Sequence, residues 1–242
     1  MSAQPEPFLT PEEYSRIERK AEEKHEYYRG KMYPLHLEPS AQENTMSALP
    51  KPFLTQAEYL QIERKAEFKS EYFQGEMFAM SGASRRHNLI AVNLTSGLHR
   101  RFREQPCEVY SGDMRVKVQK DGLYTYPDVV MVCDRPELED DDFDTLLNPL
   151  LILEILSPST EAYDRGKKFE LYQGLDSLQH YLLVAQDRPF VMHYRRQGGN
   201  DWLLHTAQDL NEGIVLDDLE IELPLAEIYE RVEFEQPSAP AP

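Results

Sequence analysis

Residues 150–156 read Leu-Leu-Ile-Leu-Glu-Ile-Leu, and Ser157-Pro158-Ser159-Thr160 follows at once. A run this short and this apolar has no polar face to give to water, so it suits a central strand covered on both sides. The one interruption is Glu154. A carboxylate in such a strand is costly to bury unless it is paired or bound to a cation.

The flanking sequence supplies the rest of a sheet and its helices. Ile90, Leu94, Leu98 and Phe102 recur at helical spacing within residues 87–102, which predicts an amphipathic helix with arginines at its ends. A short strand is expected at 76–80. Residues 109–118 and 124–132 read as two strands turned at Asp121-Gly122, a hairpin. Residues 164–172 suit a helix, and strands are expected at 181–185, 190–194 and 202–206. The fold class is α+β, one mixed sheet flanked by helices.

The segment FLTPEEYSRIERKAEEKHEYYRGKMY at residues 8–33 returns at 53–78 as FLTQAEYLQIERKAEFKSEYFQGEMF, with 16 of 26 positions identical. Both copies open with a capping box, Thr10 with Glu13 and Thr55 with Glu58, and Pro11 suits a first helical turn. The repeat reads as a duplicated N-terminal helix. Ser15 and Glu23 replace Leu60 and Phe68, so the first copy has less to bury. Residues 1–45 are therefore expected to be an appendage, 46–234 the domain, and 235–242 a disordered tail.

The net charge of −17 argues against a nucleic-acid partner until its distribution is considered. Six acids lie in residues 137–144, and ten acids against one base lie in 209–235, which leaves −2 for the rest. Both runs read as solvated loop and helix faces. Residues 84–103 hold Arg85, Arg86, Arg100, Arg101 and Arg103 with no acid. These arginines suit either the C-terminal dipole of a helix or a phosphate-contacting surface. No apolar run is long enough to span a membrane and no secretory signal opens the chain, so a cytoplasmic location is expected. Cys107 and Cys133 lack metal-site spacing and are expected to be reduced core thiols.

Tyr126-Pro127-Asp128 opens one strand of the expected hairpin. Asp128 and Glu154 on neighbouring strands can point into one cleft and hold a hard cation such as Mg²⁺, which takes one or two carboxylates and keeps its waters. Such an ion lowers the pKa of bound water and offsets charge on a phosphate oxygen. Asp113 is a further candidate ligand beside Gly112, and His87 could touch a phosphate or assist proton transfer. No histidine pair has zinc-site spacing, and there is no nucleophile elbow or phosphate-binding glycine loop.

The ordered set FLTxxEYxxIE, GxMxxMSGASRxHN at 75–88, SGDMRV at 111–116, YPDV at 126–129, EILSPST at 154–160, and then Asp164, Lys168 and Tyr172 resembles a known family. That family is the restriction-endonuclease-like, Uma-type family (domain-of-unknown-function family 820) of the PD-(D/E)XK nuclease superfamily. The resemblance runs over residues 52–234. It implies a restriction-endonuclease-like fold, with Asp128 and Glu154 as metal-binding acids. The superfamily's Glu-x-Lys would put lysine at 156, where this chain has Leu156; the resemblance moves that amine to Lys168 on the following helix, with Lys167 as its competitor.

The resulting expectation is an endodeoxyribonuclease dependent on Mg²⁺ (or Mn²⁺). Asp128, Glu154 and Asp113 would bind metal, Lys168 would orient water, and Arg85, Arg86, His87, Arg100 and Arg101 would contact nucleic acid, as a homodimer on DNA. The rival is a catalytically degenerate nuclease fold kept as a binding or scaffold module, in which Lys168 merely pairs with Asp164.

Overall fold

A computed structural model of the chain describes residues 53–234, apart from Ser81 and Asp121, together with the backbone of residues 25–28 and 31–34. Expectations for the first capping box and for the C-terminal tail lie outside the described residues. The chain divides into two compact units, residues 1–82 with 121–125 and residues 83–120 with 126–242.

In the first unit, strands β1 (His25–Tyr28) and β2 (Lys31–Pro34) pair antiparallel, His25 opposite Pro34. Helix α1 (Gln56–Glu63) follows, then β3 (Ser70–Phe73) and β4 (Glu76–Ala79), Ser70 opposite Ala79. The two hairpins have the same register at the repeat offset. The repeat is thus more than the helix expected from sequence: its second half is a β-hairpin. In the second copy it turns at Gln74-Gly75, both with positive φ (49° and 90°). The capping box of Thr55 and Glu58 forms as expected. A cluster of tyrosine rings holds this unit. Tyr59 stacks on Tyr72 at 5.0 Å between centroids, and Tyr124 of β7 (Leu123–Thr125) closes on both, at 5.2 and 5.8 Å.

The second unit is built on a six-stranded mixed sheet in the order β13-β12-β11-β10-β8-β5. Its strands are β5 (Cys107–Ser111), β8 (Val129–Cys133), β10 (Leu151–Leu156), β11 (His180–Ala185), β12 (Val191–Gly198) and β13 (Asp201–Ala207). The run 150–156 yields β10, buried at every position and flanked by β8 antiparallel and β11 parallel. A parallel neighbour requires a crossover, and residues 161–172 supply a helical one. Helix α2 (Arg85–Phe102) buries Ile90, Leu94, Leu98 and Phe102, and its N-cap Ser84 accepts a hydrogen bond from the His87 amide. Each of those side chains contributes about 1.5–3 kcal/mol of burial.

Three sequence expectations are corrected here. The single long hairpin is broken: β5 pairs with β8, whereas β6 (Arg115–Val118) runs parallel to β9 (Thr145–Leu146), and β7 pairs with β3. A turn at Gly112-Asp113, with the Met114 amide bonded to the Ser111 carbonyl, interrupts one strand, and Pro127, which has no amide to donate, interrupts the other. The cysteines are not reduced thiols. Cys107 and Cys133 lie opposite each other in the β5–β8 register and form a disulfide, a juxtaposition that their separation of 26 residues conceals.

The acidic stretch after residue 209 is not merely solvated. It forms β14 (Gly213–Leu216), a 3₁₀ turn (Asp217–Leu219), β15 (Ile221–Pro224) and α5 (Leu225–Ile228). Ile214, Leu216, Leu223, Leu225 and Ile228 enter the core beside α2. The acids take the outer positions, where Asp217 pairs with Arg195 and Glu227 with Arg100 and Arg101.

One polar chain penetrates this side of the sheet. His193 Nε2 lies 2.9 Å from His180 Nδ1, and His180 Nε2 lies 3.0 Å from Asp218 Oδ2. Burial pushes the His193 imidazole down to about 3 and lowers that of His180 as well. The buried ring is neutral when folded, while an unfolded histidine titrates near 6.5. The stability it supports is therefore complete above that value and is lost as pH falls below it. Denaturant unfolding at pH 7 and pH 5 should show a loss on the order of 2 kcal/mol from His193. The loss should shrink correspondingly in His193→Asn, and equal pH slopes in the two proteins would contradict the assignment.

Candidate functional site

The site lies at the ends of β8 and β10. Asp128 directly precedes β8, one residue beyond the pair of Val129 with Leu153, so the register carries it alongside Glu154. Its Oδ2 accepts a 2.7 Å hydrogen bond from the Ile155 amide, and its Oδ1 lies 3.2 Å from His87 Nε2. The acid is thus fixed by two contacts, one from β10 and one from the first turn of α2.

Glu154 is buried, and its charge is met from the crossover helix. That helix comprises α3 (Glu161–Tyr163), a π-helical turn (Asp164–Lys168) and α4 (Phe169–Tyr172). Lys168 Nζ sits 2.9 Å from Glu154 Oε1, and the Tyr172 hydroxyl donates to the same oxygen at 2.8 Å. Asp164 Oδ1 lies 3.7 Å from the ammonium. Among the described residues, both polar contacts of Glu154 go through Oε1. Burial pushes the Glu154 carboxyl above its ordinary range; Lys168 opposes the rise, and the Asp164 and Asp128 carboxylates add to it.

In a regular α-helix each i+4 step overshoots by about 40°. The wider π turn absorbs part of that drift, so 164, 168 and 172 all face β10. Lys167 faces away and pairs with Glu170 at 3.1 Å. The pair of Asp164 and Lys168 expected on the surface is buried, with Glu154 as the closer carboxylate.

The structure brings Asp128, Glu154, Lys168 and His87 to one end of the sheet. Asp113 is elsewhere in character: it lies exposed in the turn between β5 and β6, and among the described residues no three His, Cys, Asp or Glu side chains gather into a group able to hold a metal. The arginine cluster of the sequence divides along α2. Arg85 and Arg86 directly precede His87, whereas Arg100 and Arg101 are about 22 Å further along the helix, where both contact Glu227. No helix among the described residues is long and apolar enough to cross a membrane.

Two groups at the site have no sequence signal. Gln186, just past β11, donates from Nε2 to the Leu156 carbonyl at 2.8 Å and accepts at Oε1 from the Ser84 hydroxyl at 2.5 Å. A glutamine in a turn and a serine N-cap look ordinary in a sequence. The role of Tyr172 as donor to Glu154 also depends on the placement of the helix.

Comparison with known proteins agrees with this architecture. The sequence model of the family described as "Putative restriction endonuclease" (Uma2) matches residues 56–226. Two proteins of Synechocystis sp. (strain ATCC 27184 / PCC 6803 / Kazusa) are similar to the chain. "Uncharacterized protein slr1290" is 36% identical over 230 residues, covering 95% of this chain and 96% of the relative. "Uncharacterized protein sll1609" is 37% identical over 142 residues, 59% of this chain and 80% of the relative. Among solved structures, a "putative nuclease belonging to DUF820" from Anabaena variabilis ATCC 29413 has a TM-score of 0.61 at 16% identity, covering 73% of this chain and 97% of that one. At that identity the likeness shows the fold, a nuclease-like mixed α+β arrangement.

The dependence of Glu154 on Lys168 can be measured. Lys168→Met leaves a buried carboxylate without its cation and should destabilise the protein by about 3–5 kcal/mol. Adding Glu154→Gln should recover part of that loss in a double-mutant cycle. Strictly additive losses in denaturant melts would mean that the two groups do not interact.

Proposed function

The chain belongs to the family described as "Putative restriction endonuclease" (Uma2), and on that premise we propose that it is a metal-dependent endonuclease hydrolysing phosphodiester bonds in DNA, with Asp128, Glu154 and Lys168 as its catalytic set. The observation that carries this reading is the meeting of two carboxylates and one buried ammonium at adjoining strand ends. The donor set fits a hard divalent ion, Mg²⁺ or Mn²⁺, which asks for one or two carboxylates and fills its other positions with water and phosphate oxygens. Asp128 and Glu154 would hold it, with the Ile155 carbonyl as a further ligand. When bound, such an ion supplies an activated water and offsets charge on the phosphate.

The protein groups have separate tasks in this scheme. The Ile155 amide and His87 keep Asp128 oriented toward the cleft. Tyr172 keeps Glu154 on one rotamer by holding Oε1. Lys168, buried on the same oxygen, presents a cation that can position the attacking water in line and stabilise the extra negative charge of the pentavalent phosphorus. Arg85 and Arg86, beside His87 on the first turn of α2, would contact backbone phosphates. Arg100 and Arg101 would do so only by leaving Glu227.

A second reading has its own support: the tight contact of Lys168 with Glu154 and the net charge of −17 suit a degenerate nuclease fold that binds a partner without cutting. Calorimetric titration with Mg²⁺ or Mn²⁺ and a plasmid-nicking assay separate the two. Enzyme activity should require the divalent ion and fall by at least about 10³-fold in Asp128→Ala, and saturable metal heat should vanish in Glu154→Gln. Undiminished cleavage by Asp128→Ala rejects the catalytic assignment, and the absence of saturable heat in the wild type favours the scaffold.

A further inference from the structure

The six-stranded sheet has two edges, and they differ. One edge strand, β5, carries the charge of Glu108 at an exposed position and is cut short by the turn at Gly112-Asp113, features that discourage pairing with another chain. The other, β13, has neither. Among the described residues it pairs with β12 alone, through six consecutive partners from Trp202 with Arg196 to Ala207 with Val191, and no bulge interrupts them. The row of amides and carbonyls on its outer side is a template for a further strand. Leu203 and Leu204, on opposite faces of β13, are 51% and 45% exposed.

Residues 202–208, Trp-Leu-Leu-His-Thr-Ala-Gln, contain no Asp, Glu, Lys or Arg. That matters in a chain of net charge −17, because two copies repel wherever their acids are brought together. The strand is also held rigid from behind. The Arg196 guanidinium donates to the carbonyls of Leu178, Leu175 and Gly199 at 2.8, 2.9 and 2.7 Å, and it lies 4.5 Å from the centre of the Trp202 ring. Phe169 meets the same ring edge-on at 5.4 Å. Little freedom is therefore left to lose when another strand is added.

We propose that β13 is the contact between two copies of this chain, pairing antiparallel with its counterpart about a two-fold axis at Leu204 and joining two sheets into one. The strand itself specifies a second copy as the occupant. About that axis Leu204 meets the partner's Leu204, Trp202 the partner's Thr206, Leu203 the partner's His205 and Asp201 the partner's Ala207, so no two charges are opposed on either face. Moving the axis to His205 would set Asp201 against the partner's Asp209. Moving it to Leu203 would run Thr206 and Ala207 past the partner's turn at Gly199-Asn200. The contact is independent of any chemistry at Glu154.

Seven residues a side is well below the 20–30 of a standard interface, so sedimentation of the full chain should show a monomer–dimer equilibrium with Kd on the order of 1–100 µM. Leu204→Lys brings two ammonium groups together at the axis and should weaken it at least about tenfold. Val92→Lys, at a 64% exposed apolar position on α2, should leave it unchanged. Because Cys107 and Cys133 are already joined, an added cysteine reports the register. Leu204→Cys should form an intermolecular disulfide under mild oxidation, whereas Leu203→Cys, whose counterpart lies diagonally across the axis, should not. A monomer throughout that concentration range overturns the proposal and leaves the edge to a strand of another protein. A dimer that tolerates Leu204→Lys, or one linked equally well through Leu203→Cys, places the contact elsewhere and overturns it too. The two cysteine variants decide the matter if Leu204→Lys does not fold.

Discussion

The ion pair of Glu154 with Lys168 is the constraint around which the larger unit is arranged. β10 is buried on both faces and would pack well as an uninterrupted aliphatic strand. Placing a carboxylate there demands a cation and a hydrogen-bond donor from outside the sheet, because β11 offers Leu183 opposite it and the residue alongside it on the β8 side, Asp128, is a second carboxylate. The parallel pairing of β10 with β11 already requires a crossover, and the crossover helix is where Lys168 and Tyr172 are found. A buried ion pair contributes little net stability compared with a well-packed apolar pair. Its presence in the middle of LILEIL is therefore not accounted for by packing energy alone.

The helix that carries the amine is correspondingly irregular. Three polar side chains spaced by four residues must all reach one oxygen neighbourhood, and the π turn between α3 and α4 makes that alignment possible. Lys168 reaches Glu154 from the helix, and residue 156 on the strand is leucine. A strand lysine two residues past the glutamate is placed by the sheet itself, whereas here a helical turn and the packing of Tyr181 against it set the approach; the Tyr181 hydroxyl holds the Asp164 carbonyl at 3.0 Å.

Much of this was legible in the sequence, for physical reasons. Strong periodicity betrays α2, and an unbroken apolar run betrays β10, since both patterns follow from burial. Glu154 stood out because an acid in such a run needs a partner, and Asp128 and Lys168 followed from the order of motifs. What a linear sequence does not disclose is pairing between distant segments. The disulfide arises only because β5 and β8 lie in register, and the expected hairpin at 109–132 gives way to separate pairings because local alternation does not disclose where a strand changes partner. The acids after residue 209 hid a core-forming hairpin, since their charge dominates the composition while Ile214, Leu216 and Leu223 alternate between them. Ser84 and Gln186 meet across more than a hundred residues of chain, and neither residue type announces such a role.

Residues 121–125 belong to the first unit although the chain on either side of them belongs to the second. The backbone thus passes from one unit to the other three times, and the excursion that carries Tyr124 into the tyrosine cluster lies inside the loop closed by Cys107 and Cys133. No single cleavage point yields two self-sufficient fragments. A shortened chain starting after residue 82 would keep β7 but lose Tyr59 and Tyr72, the rings that close on Tyr124 among the described residues, so a truncation at the apparent boundary strips the excursion of its packing partners.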